Sequence, residues 1–265
     1  MDNWLLLLGV VIAGSMLSLI GGLYLIYGKK GTDTLQKAAV PFAAGALLAA
    51  AFLDLLPEAI EAGAPQTVTM SALIGFIGFF ILERSLSWFH HHHDDETSGR
   101  RQTTSLIVIG DTIHNFIDGL AIGAAFVVSP AIGVITTIAV AAHEIPQEVG
   151  DFGLMLSKGM QKRQVVLVNV VSAFATVLGA GLVYWLGDSL QLNKGILLAI
   201  TAGFFIYIAA SDIIPTIHTE KRKRLANIQT AILLFGIIFV GITGSLAHKF
   251  MHHEETGSHT HELTR

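Results

Sequence analysis

Two short strings of this sequence place acid, imidazole and amide side chains at helical spacing inside otherwise apolar stretches. Asp111, His114, Asn115 and Asp118 fall three, four and seven residues apart, so a helix carries them along one side over about two turns. His143, Glu144, Gln147, Glu148 and Asp151 form a second such stripe, and only a tight Ser129-Pro130 turn separates the two segments. Ionisable groups within a membrane-spanning helix are costly and persist where they pair, line a pathway or hold a cation. A shared divalent cation satisfies several carboxylates and both imidazoles at once. A His/carboxylate/amide set suits Zn(II), with Fe(II), Mn(II), Co(II) and Cd(II) as competitors. A hydrogen-bonded polar seam or a proton relay is the other reading of the same residues. The sequence has no cysteine, so thiolate cages and disulfides are excluded.

The elements that must position these residues are membrane helices. Of the 265 residues, 52% are hydrophobic and only 14% charged, and the mean hydropathy is +0.62, too apolar for an ordinary soluble domain. A span needs about 20 apolar residues, and eight stretches qualify, at approximately 4–27, 38–62, 67–89, 104–128, 131–156, 165–187, 195–217 and 227–250. The first stretch starts with Asp2 rather than a basic region and lacks a cleavage-site pattern, so it reads as a retained helix. Most of the lysines and arginines fall in the loops after the first, third, fifth and seventh stretches, among them Lys29, Lys37, Arg100, Arg101, Lys158, Lys162 and the run Lys221 to Arg224. That asymmetry predicts cytoplasmic loops there and both termini outside. The expected fold is an all-α integral membrane protein, one transmembrane domain over residues 1–265. The mild net charge of −4 gives no case for nucleic-acid binding.

An internal repeat is legible as well. Ala44-Gly45 followed by Asp54-Leu55-Leu56-Pro57 returns, offset by 158 positions, as Ala202-Gly203 followed by Asp212-Ile213-Ile214-Pro215. The predicted topology runs these two helices in opposite directions, so helices one to three and six to eight would be inverted halves flanking four and five, a 3+2+3 arrangement. Chance similarity among small-residue-rich helices is the alternative. Asp54 and Glu58 would then mark an entrance, and Asp212 and His218, with Asp111 and Asp151, an exit; interfacial acids at the membrane boundary are the plainer reading. Pro146 removes a backbone donor beside the ligands, freeing a carbonyl near Ala142 and favouring a kink. His90, His91, His92 and His93 open a His-rich cytoplasmic loop, 90–103, that could collect metal through many weak geometries or simply be a solvated linker. The tail carries His252, His253, His259 and His261 outside.

The strings His-Asn-Phe-Ile-Asp-Gly-Leu-Ala-Ile-Gly (114–123) and His-Glu-Ile-Pro-Gln-Glu-Val-Gly-Asp-Phe (143–152) resemble the HNFxDG and HExPHExGDF motifs of the ZIP (Zrt-, Irt-like protein) transporters, particularly their histidine-rich subfamily. The resemblance covers nearly the whole chain. It implies a divalent-metal importer, most simply of zinc, with iron, cadmium, manganese and cobalt as further cargo, and it implies no enzyme activity and no catalytic cofactor. The implied transport site is His114, Asn115, Asp118, His143, Glu144, Gln147 and Glu148, with room for two adjacent metals and Asp118 as their bridge. The implied setting is a homodimer in the lipid bilayer of a cell (plasma) membrane, here a prokaryotic inner membrane, working by alternating access. The departure is Gln147, where the subfamily has His and other members a bridging Glu; an amide is a neutral, weaker ligand, so the second metal position is the weaker one. The region that bears an acid on helix six in some relatives reads Asn169, Ser172 and Thr176. Two rival readings remain. His143-Glu144 begins like the H-E-x-x-H of an intramembrane metalloprotease, although Gln147 replaces its second histidine, and an exporter differs only in direction.

Overall fold

The computed structural model describes residues 3–27, 32–91, 100–189 and 193–262, and among them every regular element is a helix. In chain order they are α1 (Trp4–Tyr27), α2 (Thr32–Ala49, a π-helical segment Ala50–Leu55, then Leu56–Ala62), α3 (Pro65–His91), α4 (Arg100–Val128), α5 (Pro130–Ser157), α6 (Lys162–Ser189), α7 (Lys194–Tyr207, a π-helical segment Ile208–Ile213, then Ile214–His218) and α8 (Lys223–Glu262). Six helices, all but α4 and α5, are long and apolar enough to cross a membrane. The eight spans expected from the sequence thus have six counterparts by this measure among the described residues. The other two, α4 and α5, carry the polar stripes and are 29 and 28 residues long. Part of the segment 90–103 expected as a His-rich loop is helical. His90 and His91 belong to the end of α3 and residues 100–103 to the start of α4, while His92 and His93 lie outside the described residues. The backbone of α8 continues through the histidine-bearing tail to Glu262.

Helix ends follow local chemistry. Ser129 sits extended before α5 and its hydroxyl accepts from the Ala131 N–H at 3.2 Å, with Pro130 in the first turn, where its missing donor costs nothing. Asn193 caps α7 by accepting from the Ile196 N–H at 3.1 Å. After α5, Gly159 takes φ 87°, the left-handed conformation that lets the Met160 N–H reach back to the Leu156 turn, bonding Met155 O at 3.1 Å. α5 stays helical through Pro146.

The repeat seen in sequence has a structural counterpart at the same 158-residue offset. Each copy contains a six-residue π-helical segment, Ala50–Leu55 and Ile208–Ile213, followed at the second position by Pro57 or Pro215. The wider turn closes with the Leu56 N–H on Ala51 O in one copy and the Ile214 N–H on Ala209 O in the other. A proline ring collides with the carbonyl four residues earlier, and an extra residue per turn moves that carbonyl away. The glycines repeat too. A side chain on Gly45 would strike the backbone of Leu233 in α8, and one on Gly203 the backbone of Ala72 in α3.

These close approaches sort the helices into two bodies. α2 packs on α8 and α3 on α7. α4 packs on α6, with Gly119 and Gly123 against the backbones of Thr176 and Ala180, and α1 on α5, where the Phe152 ring fills the space left by Gly22. The bodies meet chiefly through α2 and α5, in an apolar core where Ala46, Ala50 and Ala51 join Ile132, Ile135 and Ala139. Small residues let helices approach closely and leave few interdigitating knobs. α2 and α7 are the most buried of the apolar spans, whereas α8 and α3 present mainly apolar side chains outward, as a lipid-facing surface would.

Candidate metal centre

Four ligand atoms converge between α4 and α5. His114 Nε2 lies 3.3 Å from His143 Nε2, 3.6 Å from Asp118 Oδ2 and 3.6 Å from Glu144 Oε1. His143 Nε2 lies 3.2 Å from Asp118 Oδ2 and 3.9 Å from Glu144 Oε1, and all four atoms fall within 4.8 Å of one another. Metal–ligand bonds of about 2.0–2.2 Å in a regular tetrahedron put neighbouring ligand atoms roughly 3.3–3.6 Å apart. Five of the six edges, 3.2 to 3.9 Å, bracket that range, and the sixth, Asp118 to Glu144, is no longer than 4.8 Å. Asp118, His143 and Glu144 are buried at 2–3% exposure, and His114 is half-buried. Among the described residues this is the one group of three or more acids and histidines so gathered.

Acceptor atoms outnumber hydrogen-bond donors at this centre. His143 Nδ1 lies 3.3 Å from the Ala139 carbonyl oxygen, which can only accept, so a hydrogen on Nδ1 is held there and Nε2 faces the other three ligand atoms. Asp118 Oδ2 and both Glu144 carboxylate oxygens are buried without a hydrogen-bond donor. Buried acceptors so placed cost free energy unless a proton or cation joins them. The backbone bond to His143 is also the kind of contact that fixes a metal-binding imidazole's tautomer and orientation. Phe79 of α3 meets the His114 ring edge to face, 5.8 Å between centroids at 89°, and itself packs on Phe204 and Tyr207 of α7. The body of α2, α3, α7 and α8 thus walls the site with aromatic rings.

The other polar residues of α4 turn toward α6. The Asn115 amide donates to Asp111 Oδ1 at 3.0 Å, to Asp111 O at 3.1 Å and to Ser172 Oγ at 3.4 Å, and its oxygen accepts from Thr176 Oγ1 at 2.9 Å. Both ends of the amide are therefore engaged. Ser172 and Thr176, read in the sequence only as places without an acid, supply these partners; their spacing of four on one helix was the available signal. Gln147 and Asp151 are half-buried, one and two turns beyond His143 on α5. Glu148 is buried at 1% exposure with both carboxylate oxygens unpartnered, as are Asp111 Oδ2 and Asn169 Oδ1. A small cavity of about 10 Å³, enough for one water, touches Asn115, Glu144 and Thr176 beside Ser15 and Ser18 of α1.

The expected path residues stand apart from this group. Asp54 lies in the first π segment, 8% exposed, with Oδ2 buried and unpartnered, and it fills the space a side chain on Gly244 of α8 would need. Glu58 is half-buried and His218 exposed. Asp212 occupies the matching position of the second π segment, and its side chain, like those of His90 and His91, lies outside the described residues.

The family model of the ZIP zinc transporters matches residues 3–105 and 90–247. The chain belongs to the ZIP zinc transporter family. Among curated proteins it is 35% identical over 153 residues to human "Zinc transporter ZIP6", covering 55% of this chain and 20% of that protein. It is 37% identical over 143 residues to rat "Metal cation symporter ZIP8", covering 54% and 30%, and 40% identical over 139 residues to human "Zinc transporter ZIP4", covering 52% and 20%. The ZIP chain thus spans between a fifth and a third of these relatives' lengths.

Proposed function

We propose that this ZIP chain carries divalent transition-metal ions, zinc foremost, across a membrane into the cytoplasm. The observation that carries the reading is the tetrahedral convergence of His114, Asp118, His143 and Glu144, with carboxylate oxygens that have no donor of their own. The names of the similar proteins, zinc transporters and a metal cation symporter, support the cargo class. The chain crosses the bilayer eight times with both termini outside, α4 and α5 included, because their polar faces turn inward and the basic loops lie on one side. Gln147 and Glu148 extend the site along α5 toward a second metal position, which Asn115 joins only by releasing Thr176. Asp54 and Glu58 form the entrance; Asp111, Asp151, Asp212 and His218 form the exit. The functional unit is a homodimer in the plasma membrane, the inner membrane of a prokaryote. A negative interior of about 100 mV favours inward movement of a divalent cation by about 4.6 kcal/mol, and no Gly-x-x-x-x-Gly-Lys-Ser/Thr loop is present to suggest an intrinsic ATP motor. Alternating access then takes the form of α1, α4, α5 and α6 sliding as one body along the alanine-rich seam with α2 and α7, metal and ligands travelling together.

The test is uptake into sealed proteoliposomes loaded with a metal-sensitive dye, made negative inside. Zinc should enter and Cd, Fe, Mn and Co should compete. Unchanged uptake by the His114→Ala, His143→Ala double variant would reject the site, and efflux from right-side-out vesicles against the imposed potential would make the protein an exporter. Peptide cleavage lost in Glu144→Ala would instead establish a metalloprotease.

A further inference from the structure

A second site of different chemistry lies at the basic end of the α2–α8 pair. A cleft of about 540 Å³ opens there, lined on its polar side by Lys37 of α2 and by Arg222 and Arg224, just before and within α8. Its wall is apolar: Leu225, Ile228 and Ile232 line it at positions i, i+3 and i+7, one stripe of α8. That stripe continues into the least buried of the apolar spans, and Ile228 itself is 46% exposed. The cleft therefore joins a cationic rim to a surface of lipid-facing character. None of its lining residues belongs to the metal centre.

The charges at the rim are unequal. Lys221, Arg222, Lys223 and Arg224 form an unbroken basic run, opposed locally by Glu220. The Arg222 guanidinium donates to Glu220 through Nε at 2.9 Å and Nη2 at 3.0 Å, and its backbone N–H donates at 2.9 Å. Arg222 pulls the Glu220 carboxyl down to about 2, so the pair stays ionised at any physiological pH. A guanidinium has five N–H donors, so this pair fixes the group at the rim and leaves donors for a second anion. Basic pockets between helices at a membrane surface are suited to lipid phosphates.

We propose that this cleft binds an anionic phospholipid, its phosphate at Lys37, Arg222 and Arg224 and the upper part of an acyl chain along Leu225, Ile228 and Ile232. A soluble anion would engage only the rim and leave the apolar wall uncovered, whereas a zwitterionic lipid would cover the wall but set a positive headgroup among the cations.

Isothermal titration of the full-length protein in neutral detergent with dihexanoyl phosphatidylglycerol, dihexanoyl phosphatidylcholine and glycerol 3-phosphate separates these ligands without any variant. Phosphatidylglycerol should bind at one saturable site at least tenfold more tightly than either of the others. Lys37→Ala with Arg224→Ala should bring it to the phosphatidylcholine level, and Ile232→Trp, which fills the cleft without changing charge, should do the same. Lys162→Ala with Arg163→Ala, at the basic start of α6, should leave binding within twofold. Equal binding of the two lipids would overturn the proposal, as would glycerol 3-phosphate binding as tightly as phosphatidylglycerol, or an equal loss from the distant basic pair, which would reduce the effect to general surface charge.

Discussion

The two polar sides of α4 are built from similar side chains and resolved in opposite ways. Asp111 and Asn115 face α6, where Ser172 and Thr176 donate to and accept from them until the Asn115 amide is engaged at both ends. His114 and Asp118 face α5, where they meet another imidazole and another carboxylate, and the buried oxygens remain without donors. A hydrogen-bonded set rigidifies a helix pair; an unsatisfied set of ligands is a place prepared for something that is not protein. Burial and polarity alone do not separate these roles. The balance of donors and acceptors does.

Four experiments would break or sharpen this contrast. The largest effect belongs to the double variant His114→Ala, His143→Ala, in which zinc uptake into proteoliposomes should fall to the level of protein-free vesicles. Next is Glu144→Gln, which keeps shape and removes charge. Zinc affinity measured by dye competition should fall by more than the roughly 10- to 100-fold typical when only an outer partner of a ligand is lost. The metal-free protein should nevertheless melt at a higher temperature than wild type, because an amide among these buried acceptors brings hydrogen-bond donors that a carboxylate lacks. A lower melting temperature without metal would place Glu144 in a structural network instead. Thr176→Val, on the α6 side, should cost about 1–3 kcal/mol of stability by orphaning Asn115 Oδ1, with zinc affinity unchanged within threefold; a tenfold loss of affinity would merge the two sides into one site. Ser172→Ala removes the long 3.4 Å contact from Asn115 and should cost less than Thr176→Val, roughly 0.5–1 kcal/mol, read from the denaturation midpoint.

The helices and the candidate ligands were legible in the sequence because apolar length and helical spacing are local properties. So was the 158-residue repeat, although its π segments were not. Proline suggests a local disturbance, and the extra residue that relieves Pro57 and Pro215 leaves no mark on composition. The division of α4 into two faces was also hidden, because it depends on rotation about the helix axis. That rotation is set by backbone contact at Gly119 and Gly123 with Thr176 and Ala180. Only packing could show that Asn115 turns to α6 while His114, one residue earlier, turns to α5 and the aromatic wall at Phe79.

The single residue between α4 and α5 has a geometric consequence for the ligands. His114 stands fourteen positions before Val128 and His143 thirteen after Pro130, so the two arms of the hairpin measure out nearly equal lengths from a common fold point. The hairpin acts as a pair of calipers whose jaws are the ligand pairs. One residue inserted between Asp118 and Val128 would move one jaw by about 1.5 Å and turn it by roughly 100° relative to the other, whereas one inserted after Asp151 would leave the gap unchanged. The spacing of the ligands is thus written into chain length as much as into side-chain identity.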